Sequence, residues 1–142
     1  MLPTPPEHPW SSKCDAEEEA ISDPSSLRFS NLSNPHIKLK NVNSANVLKD
    51  NKIKELPPGI FSDLIYLQEL DLRNNDIKEL PSGIFSNLSS LQRLYLQKNK
   101  IEELPPGIFT NLTELRFLDL RDNEIKELPS GIFSNFSSLR TL

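Results

Sequence analysis

Internal repetition constrains this chain more than any other feature, because the sequence repeats every 24 residues from about residue 43 to its end. Full units begin at Leu67, Leu91 and Leu115, and the first and third of these agree at 19 of 24 positions. A divergent unit occupies 43–66, and 139–142 opens a further unit that stops after four residues. One such unit cannot bury its own apolar side chains, so the repeat predicts a solenoid of stacked units.

The glycines follow the same period and exclude the common nucleotide-binding loops. The chain has four, Gly59, Gly83, Gly107 and Gly131, and each lies 24 residues from the next. Phosphate-binding loops need glycines within about six residues of one another, where backbone amides can approach the phosphate. Here each glycine belongs to a Leu-Pro-x-Gly bend, in which proline presets one φ angle and glycine can supply a positive one.

Within each unit, a strand pattern gives way to a segment that turns inward. Leu70 and Leu72 alternate with charged residues, which is the period-2 pattern of a short strand with one buried face. The asparagine that follows the strand can satisfy backbone groups with its amide as the chain turns. These asparagines are Asn51, Asn75, Asn99 and Asn123. The side chains predicted to return to the core are Ile77, Leu80, Phe85, Leu88 and their equivalents.

The full spacing, L-x-x-L-x-L-x-x-N-x-I-x-x-L-P-x-G-x-F-x-x-L over residues 43–142, resembles the typical 24-residue class of leucine-rich repeats. Repeats of this class are found in Toll-like receptors, Slit-type guidance proteins and variable lymphocyte receptors. The resemblance implies an α/β-type solenoid, a horseshoe with a short-stranded parallel sheet on its concave face and mostly irregular turns on its convex side. It also implies ligand binding on the concave face and a phenylalanine spine, formed by Phe61, Phe85, Phe109 and Phe133.

The candidate ligand-binding residues are the strand residues that do not enter the core, arranged in three columns across the units. The first column is Ala45, Glu69, Arg93 and Phe117; the second is Val47, Asp71, Tyr95 and Asp119; the third is Lys49, Arg73, Gln97 and Arg121. Tyr95 and Phe117 would lie together on this surface, and aromatic residues and arginine are enriched at interface hot spots. In the alternative interpretation, the Asp and Arg residues are ordinary solvated charges and Phe117 packs on its neighbours.

Charge and composition argue against several other functions. Sixteen Lys and Arg residues against twenty Asp and Glu give a formal net charge of −4, so the chain lacks the basic surplus that nucleic-acid binding uses. Cys14 is the single cysteine, and with His8 and His36 it lies in the irregular N-terminal stretch. We therefore predict no enzyme, no catalytic residues, no cofactor and no metal site. No run of apolar residues is long enough for a membrane segment.

Three N-x-[ST] sequons recur in phase at Asn87, Asn111 and Asn135, and Asn31 adds a fourth outside the repeats. The phased sequons would lie on the convex side, where glycans leave the concave face clear. In the alternative interpretation, one chance sequon was copied with its repeat. Asp63 occupies the matching position in the divergent unit.

The expected organisation is an acidic, proline-rich, disordered leader at 1–26, a degraded repeat or cap at 27–42, and repeats at 43–142. The cysteine-rich caps of extracellular relatives are missing and the chain stops partway into a strand, which suggests a fragment of a longer protein. Together these features predict a non-catalytic module of an extracellular or cell-surface protein that binds a protein ligand. The alternative is an intracellular repeat scaffold or regulatory protein, which the lone cysteine and the absence of a signal peptide favour.

Overall fold

The computed structural model describes residues 48–142, together with the backbone of three short segments nearer the N-terminus. These segments are the strands β1 (Ala20–Ile21), β2 (Lys38–Leu39) and β3 (Ser44–Ala45). Cys14, His8, His36 and Asn31, and most of the predicted leader and cap, lie outside the described residues. In this part of the chain, β1 pairs in parallel with β2.

The repeats form one parallel sheet of short strands. Its strand order is β3, β4 (Glu69–Asp71), β5 (Arg93–Tyr95) and β6 (Phe117–Asp119), which is also the order along the chain. Leu70, Leu94 and Leu118 are aligned across the sheet and fully buried, as the leucine alternation predicts. Thr141 continues the pattern by pairing in parallel with Phe117.

At β3, the divergent unit departs from the repeat register by one residue. Ser44, and not Ala45, pairs with Glu69, so the predicted first member of the first column is wrong. The strands of the full units pair at a spacing of 24 residues. Register is set by the pattern of apolar side chains, and this unit has Asn43 and Asn46 where the others have leucine.

A ladder of asparagines joins neighbouring units at the inward turn, and this confirms the predicted role of these residues. The Asn99 Nδ2 group donates to the carbonyl oxygens of Leu96, in its own unit, and of Leu72, in the preceding one. Its Oδ1 atom accepts from the amide of Ile77. Asn75 and Asn123 make the equivalent bonds. The ladder therefore satisfies backbone groups in two units at once.

The residue before each of these asparagines has a left-handed backbone, which the sequence pattern did not predict. The four residues are Asp50, Asn74, Lys98 and Asp122, with φ of 56–57°. Asn and Asp tolerate this conformation better than other side chains do. Among the glycines, Gly83, Gly107 and Gly131 have positive φ, so three of the four bends match the prediction.

The phenylalanine spine is present on the far side of the core from the strands. Successive rings from Phe61 through Phe85 and Phe109 to Phe133 are 6.5, 6.3 and 6.4 Å apart and nearly parallel. Parallel strands are only about 4.8 Å apart. Because the units are spaced more widely at the spine than at the strands, the stack curves with its sheet on the concave side.

Candidate protein-binding face

Nine residues on the concave side correspond to the predicted binding residues, and we call them the strand face. They are Glu69, Asp71, Arg73, Arg93, Tyr95, Gln97, Phe117, Asp119 and Arg121. The strand pairing places Glu69, Arg93 and Phe117 in one column and Asp71, Tyr95 and Asp119 in the next. Backbone bonds from Asn74 to Gln97 and from Lys98 to Arg121 continue the ladder beyond the strands, which aligns the third column.

An aromatic pair lies in the middle of the strand face. The rings of Tyr95 and Phe117 are 5.0 Å apart between centroids and tilted by 44°, and both side chains are half-buried. The guanidinium carbon of Arg73 lies 5.3 Å from the centroid of the Tyr95 ring, which is a cation–π distance. Phe117 therefore does pack on a neighbour, yet both rings keep accessible surface.

The two aspartates of the strand face are buried, unlike the solvated charges of the alternative interpretation. Asp71 is 1% exposed and Asp119 is 4% exposed. Each accepts a hydrogen bond from the backbone amide two residues later and pairs with the side chain of the same arginine. Since the Arg73 and Arg121 side chains remain 36% and 80% exposed, the charged groups accessible at these positions are guanidinium groups. The buried carboxylates orient these guanidinium groups through the ion pairs.

The remaining polar residues of the face differ in what they offer. Arg93 contacts Glu69 at 3.4 Å, but both side chains are accessible and such pairs contribute little stability. Gln97 is only 8% exposed, and within residues 48–142 no group donates a hydrogen bond to its Oε1 atom. The alternation of the sequence places Gln97 on the outer surface and so gives no sign of this burial. The neighbours of Gln97 in its column are the larger side chains of Arg73 and Arg121.

Burial and hydrogen bonding shift the pKa values of the two aspartates in opposite directions. Burial raises the pKa of Asp71 above its usual 3.8, which outweighs the bonds from Arg73. Side-chain hydrogen bonds from Arg121 lower the pKa of Asp119 below 3.8 despite its burial. The geometry explains the difference, since the Arg121 side chain donates to both Asp119 oxygens, at 2.7–3.2 Å, whereas Arg73 makes one contact at 2.9 Å.

Asparagine substitutions at the two sites should therefore change stability in opposite directions. At pH 7 we expect Asp119→Asn to lower the free energy of unfolding and Asp71→Asn to raise it. A carboxylate whose pKa is lowered by folding stabilises the fold above its unfolded pKa, and this stabilisation is lost as the pH falls. A carboxylate whose pKa is raised by folding has the opposite effect, because its ionisation above the unfolded pKa destabilises the fold. Urea unfolding at pH 7 and pH 3 checks this, because both differences should shrink at pH 3. Equal signs at pH 7 would contradict the assignment.

A groove of about 780 Å³ lies away from the strand face, on the side of the turns. Exposed charges of both signs, such as Lys54 and Glu79, line it, and its Asp76–Lys100 pair, 3.2 Å apart, is largely solvated. Exposed pairs of this kind contribute little stability. Among the described residues there is also no group of three or more His, Cys, Asp or Glu side chains that could hold a metal ion. The strand face is therefore the better candidate site.

The sequence profile of the leucine-rich repeat matches residues 47–101 and 89–142, which together make up well over half of the chain. The chain belongs to the leucine-rich repeat family. This agrees with the 24-residue spacing, the parallel sheet and the asparagine ladder. The family fold is typically a scaffold for protein interaction without catalytic activity.

Solved leucine-rich repeat structures share the fold. A complex of TLR13 with ssRNA13 is 28% identical and covers 83% of this chain, with a TM-score of 0.62. The leucine-rich repeat domain of APL1B is 21% identical and covers 96% of this chain, with a TM-score of 0.60. The present chain spans 19% and 41% of these two structures, so it corresponds to less than half of either. No curated protein sequence matches it at a significant level.

A membrane-crossing helix needs about 20 consecutive apolar residues. No helix in the part of the chain that the structure describes has this length and hydrophobicity.

Proposed function

We propose that this chain is a protein-binding module of an extracellular or cell-surface leucine-rich repeat protein, and that the strand face binds the ligand. The observation that carries the proposal is the Tyr95–Phe117 pair, in which two half-buried aromatic rings lie 5.0 Å apart on an open sheet. Side chains that combine rigid contact area with partial exposure are the usual anchors of protein interfaces.

The arginines around the pair support the same proposal. Arg93 and Arg121 are 60% and 80% exposed, and Arg93 pairs with Phe117 across the sheet. Arg121 is held by Asp119 through several hydrogen bonds, so little side-chain entropy remains to be lost when a ligand binds. A surface with fixed guanidinium groups beside accessible rings has the composition of an interface hot spot.

Charge favours a protein ligand over RNA. The related TLR13 structure holds ssRNA13, so RNA is a reasonable competitor. Nucleic-acid binding, however, relies on Lys and Arg side chains that displace counterions from the phosphates. Here Arg73 and Arg121 are each neutralised by a buried aspartate, and the whole chain carries a formal net charge of −4.

An extracellular or cell-surface location is supported by the likeness to TLR13 and by the sequons. An intracellular scaffold is the competing proposal, because leucine-rich repeats also occur inside cells. Antibody staining of intact and permeabilised source cells separates the two. Staining of intact cells, or recovery from the medium, is the expected result; staining that needs permeabilisation and coincides with a cytosolic marker would contradict it.

The binding proposal is tested by removing both aromatic rings. The purified chain is first screened against an array of purified extracellular domains, and any binder is then measured by surface plasmon resonance. We expect Tyr95→Ala with Phe117→Ala to weaken this binding by about tenfold or more, since loss of a hot spot costs above roughly 1–2 kcal/mol. Single-stranded RNA is measured in parallel and should bind neither protein.

Tyr66→Ala is the matched control, because Tyr66 is 73% exposed and lies outside the strand face. It removes the same kind of side chain and should leave binding unchanged. Urea unfolding of all three proteins shows whether the double variant is still folded at the assay temperature. Unaltered binding by a folded double variant would place the ligand elsewhere on the solenoid.

A further inference from the structure

The three phased sequons occupy one structural position, which the proposed binding function leaves unused. Asn87, Asn111 and Asn135 are all exposed, and so are the Ser or Thr residues two positions later. Each sequon lies in the turns that follow a spine phenylalanine, on the side of the core away from the sheet. The asparagines therefore form a row, one per unit, that does not approach the strand face.

The middle residue of each sequon fixes its orientation. Leu88 and Leu112 are 0% and 1% exposed, and Phe136 is half-buried against the spine. Because the middle side chain enters the core, the asparagine and the hydroxyl residue on either side of it are held at the surface. A core position between two exposed positions keeps the sequon accessible in the folded chain.

The hydrogen bonds of these asparagines are compatible with a sugar on the amide nitrogen. Asn87 Nδ2 donates to the carbonyl oxygen of Ser62 at 2.9 Å, and Asn111 Nδ2 donates to that of Ser86 at 3.0 Å. A side-chain amide has two hydrogens on Nδ2, and glycosylation replaces only one of them. The bond to the preceding unit can therefore persist after modification.

We propose that Asn87, Asn111 and Asn135 carry N-linked glycans, so that one row of glycans covers the side opposite the strand face. In the transfer, Nδ2 attacks the anomeric carbon of an oligosaccharide that is carried on a polyprenyl diphosphate. The N–C bond forms as the C–O bond to the diphosphate breaks; the diphosphate leaves with the electron pair, and Nδ2 loses one proton to a base of the transferase. The proposal rests on the proposed extracellular location, because this transfer takes place in the secretory pathway.

The test measures the glycans of the full chain expressed behind a signal peptide in animal cells. Asn31→Gln is included in every protein, so that only glycans on Asn87, Asn111 and Asn135 are counted. We expect N-glycosidase to lower the intact mass, and the enzyme should convert Asn87, Asn111 and Asn135 to Asp in tryptic peptides. Each single Asn→Gln variant should lose one glycan. Ser89→Ala is the matched control, since it should remove the glycan at Asn87 while leaving that asparagine in place.

The divergent unit permits a gain-of-site experiment. It has Asp63 and Ile65 where the other units have the sequon residues, and both side chains are exposed. If the position in the unit accommodates glycans, Asp63→Asn with Ile65→Ser should add one glycan to the chain. If the intact mass changes only by the two substitutions, without the mass of a further glycan, the positional argument is contradicted.

Chain retained in the cells is measured in the same way as secreted chain, so poor secretion does not prevent a result. An intact mass unchanged by N-glycosidase in protein that has entered the secretory pathway would overturn the inference. That outcome would leave the binding proposal standing, because the binding measurements use the strand face. Conversely, binding that survives Tyr95→Ala with Phe117→Ala would overturn the ligand site without changing the glycan count.

Discussion

Asn99→Ala is expected to lower the free energy of unfolding by about 3–4 kcal/mol, one of the two largest effects of a single substitution in this chain. Asn99 is 6% exposed, and it links two units through the carbonyl oxygens of Leu72 and Leu96. Its loss leaves the buried amide of Ile77 without its acceptor. One orphaned amide costs roughly 1–3 kcal/mol, and each lost hydrogen bond adds about 1 kcal/mol.

The effect is limited by a second donor at each carbonyl. Leu72 O also accepts from Asn75, and Leu96 O also accepts from Asn123, so neither oxygen is orphaned by the single change. The double variant Asn75→Ala with Asn99→Ala removes both side-chain donors of Leu72 O. We therefore expect the double variant to lose more stability than the sum of the two single variants.

Urea unfolding followed by circular dichroism measures both expectations. Asn123→Ala is the matched control, because Asn123 makes the same three kinds of hydrogen bond but is only half-buried. Water can replace part of what that variant loses, so its deficit should be clearly smaller than that of Asn99→Ala. Equal deficits at the two sites, or strictly additive losses in the double variant, would show that the ladder does not act as a network.

The sequence predicted the units, the sheet and the spine because each rests on a side-chain pattern that recurs in phase. Buried leucines at a period of two and aromatic residues every 24 positions can each be identified without coordinates. The register of β3 could not be predicted in this way. That unit lacks two of the leucines that set the register of a strand, so the 24-residue spacing of the full units does not predict how β3 pairs.

The candidate site was predicted in part, because burial on the strand face depends on neighbouring units. Alternation alone places Asp71, Gln97 and Asp119 on the outer surface. In the structure all three side chains are buried, and the two aspartates pair with arginines that stay accessible. The left-handed residue before each asparagine was also missed, since Lys98 gives no indication of positive φ in its residue type.

Phe109→Ala is the second large effect, with an expected loss of about 3–5 kcal/mol in the free energy of unfolding. Phe109 is 1% exposed, and its ring lies 6.3 Å from Phe85, 6.4 Å from Phe133 and 5.9 Å from Phe136 between centroids. The substitution removes apolar contacts with units on both sides and leaves a cavity in the middle of the spine. Packed neighbours can collapse only partly into such a space.

The position of the lost ring predicts how the chain unfolds as well as how stable it is. In a stack of repeats, stability depends on interfaces between nearest neighbours, so a cavity at Phe109 weakens the interfaces before and after its unit. Hydrogen exchange should therefore accelerate at amides in 67–90 and 115–138 together. Phe133→Ala is the control, because Phe133 is half-buried; its loss should be smaller, and its effect on exchange should be confined to the C-terminal units. Faster exchange only within 91–114 in Phe109→Ala would mean that the spine does not couple the units.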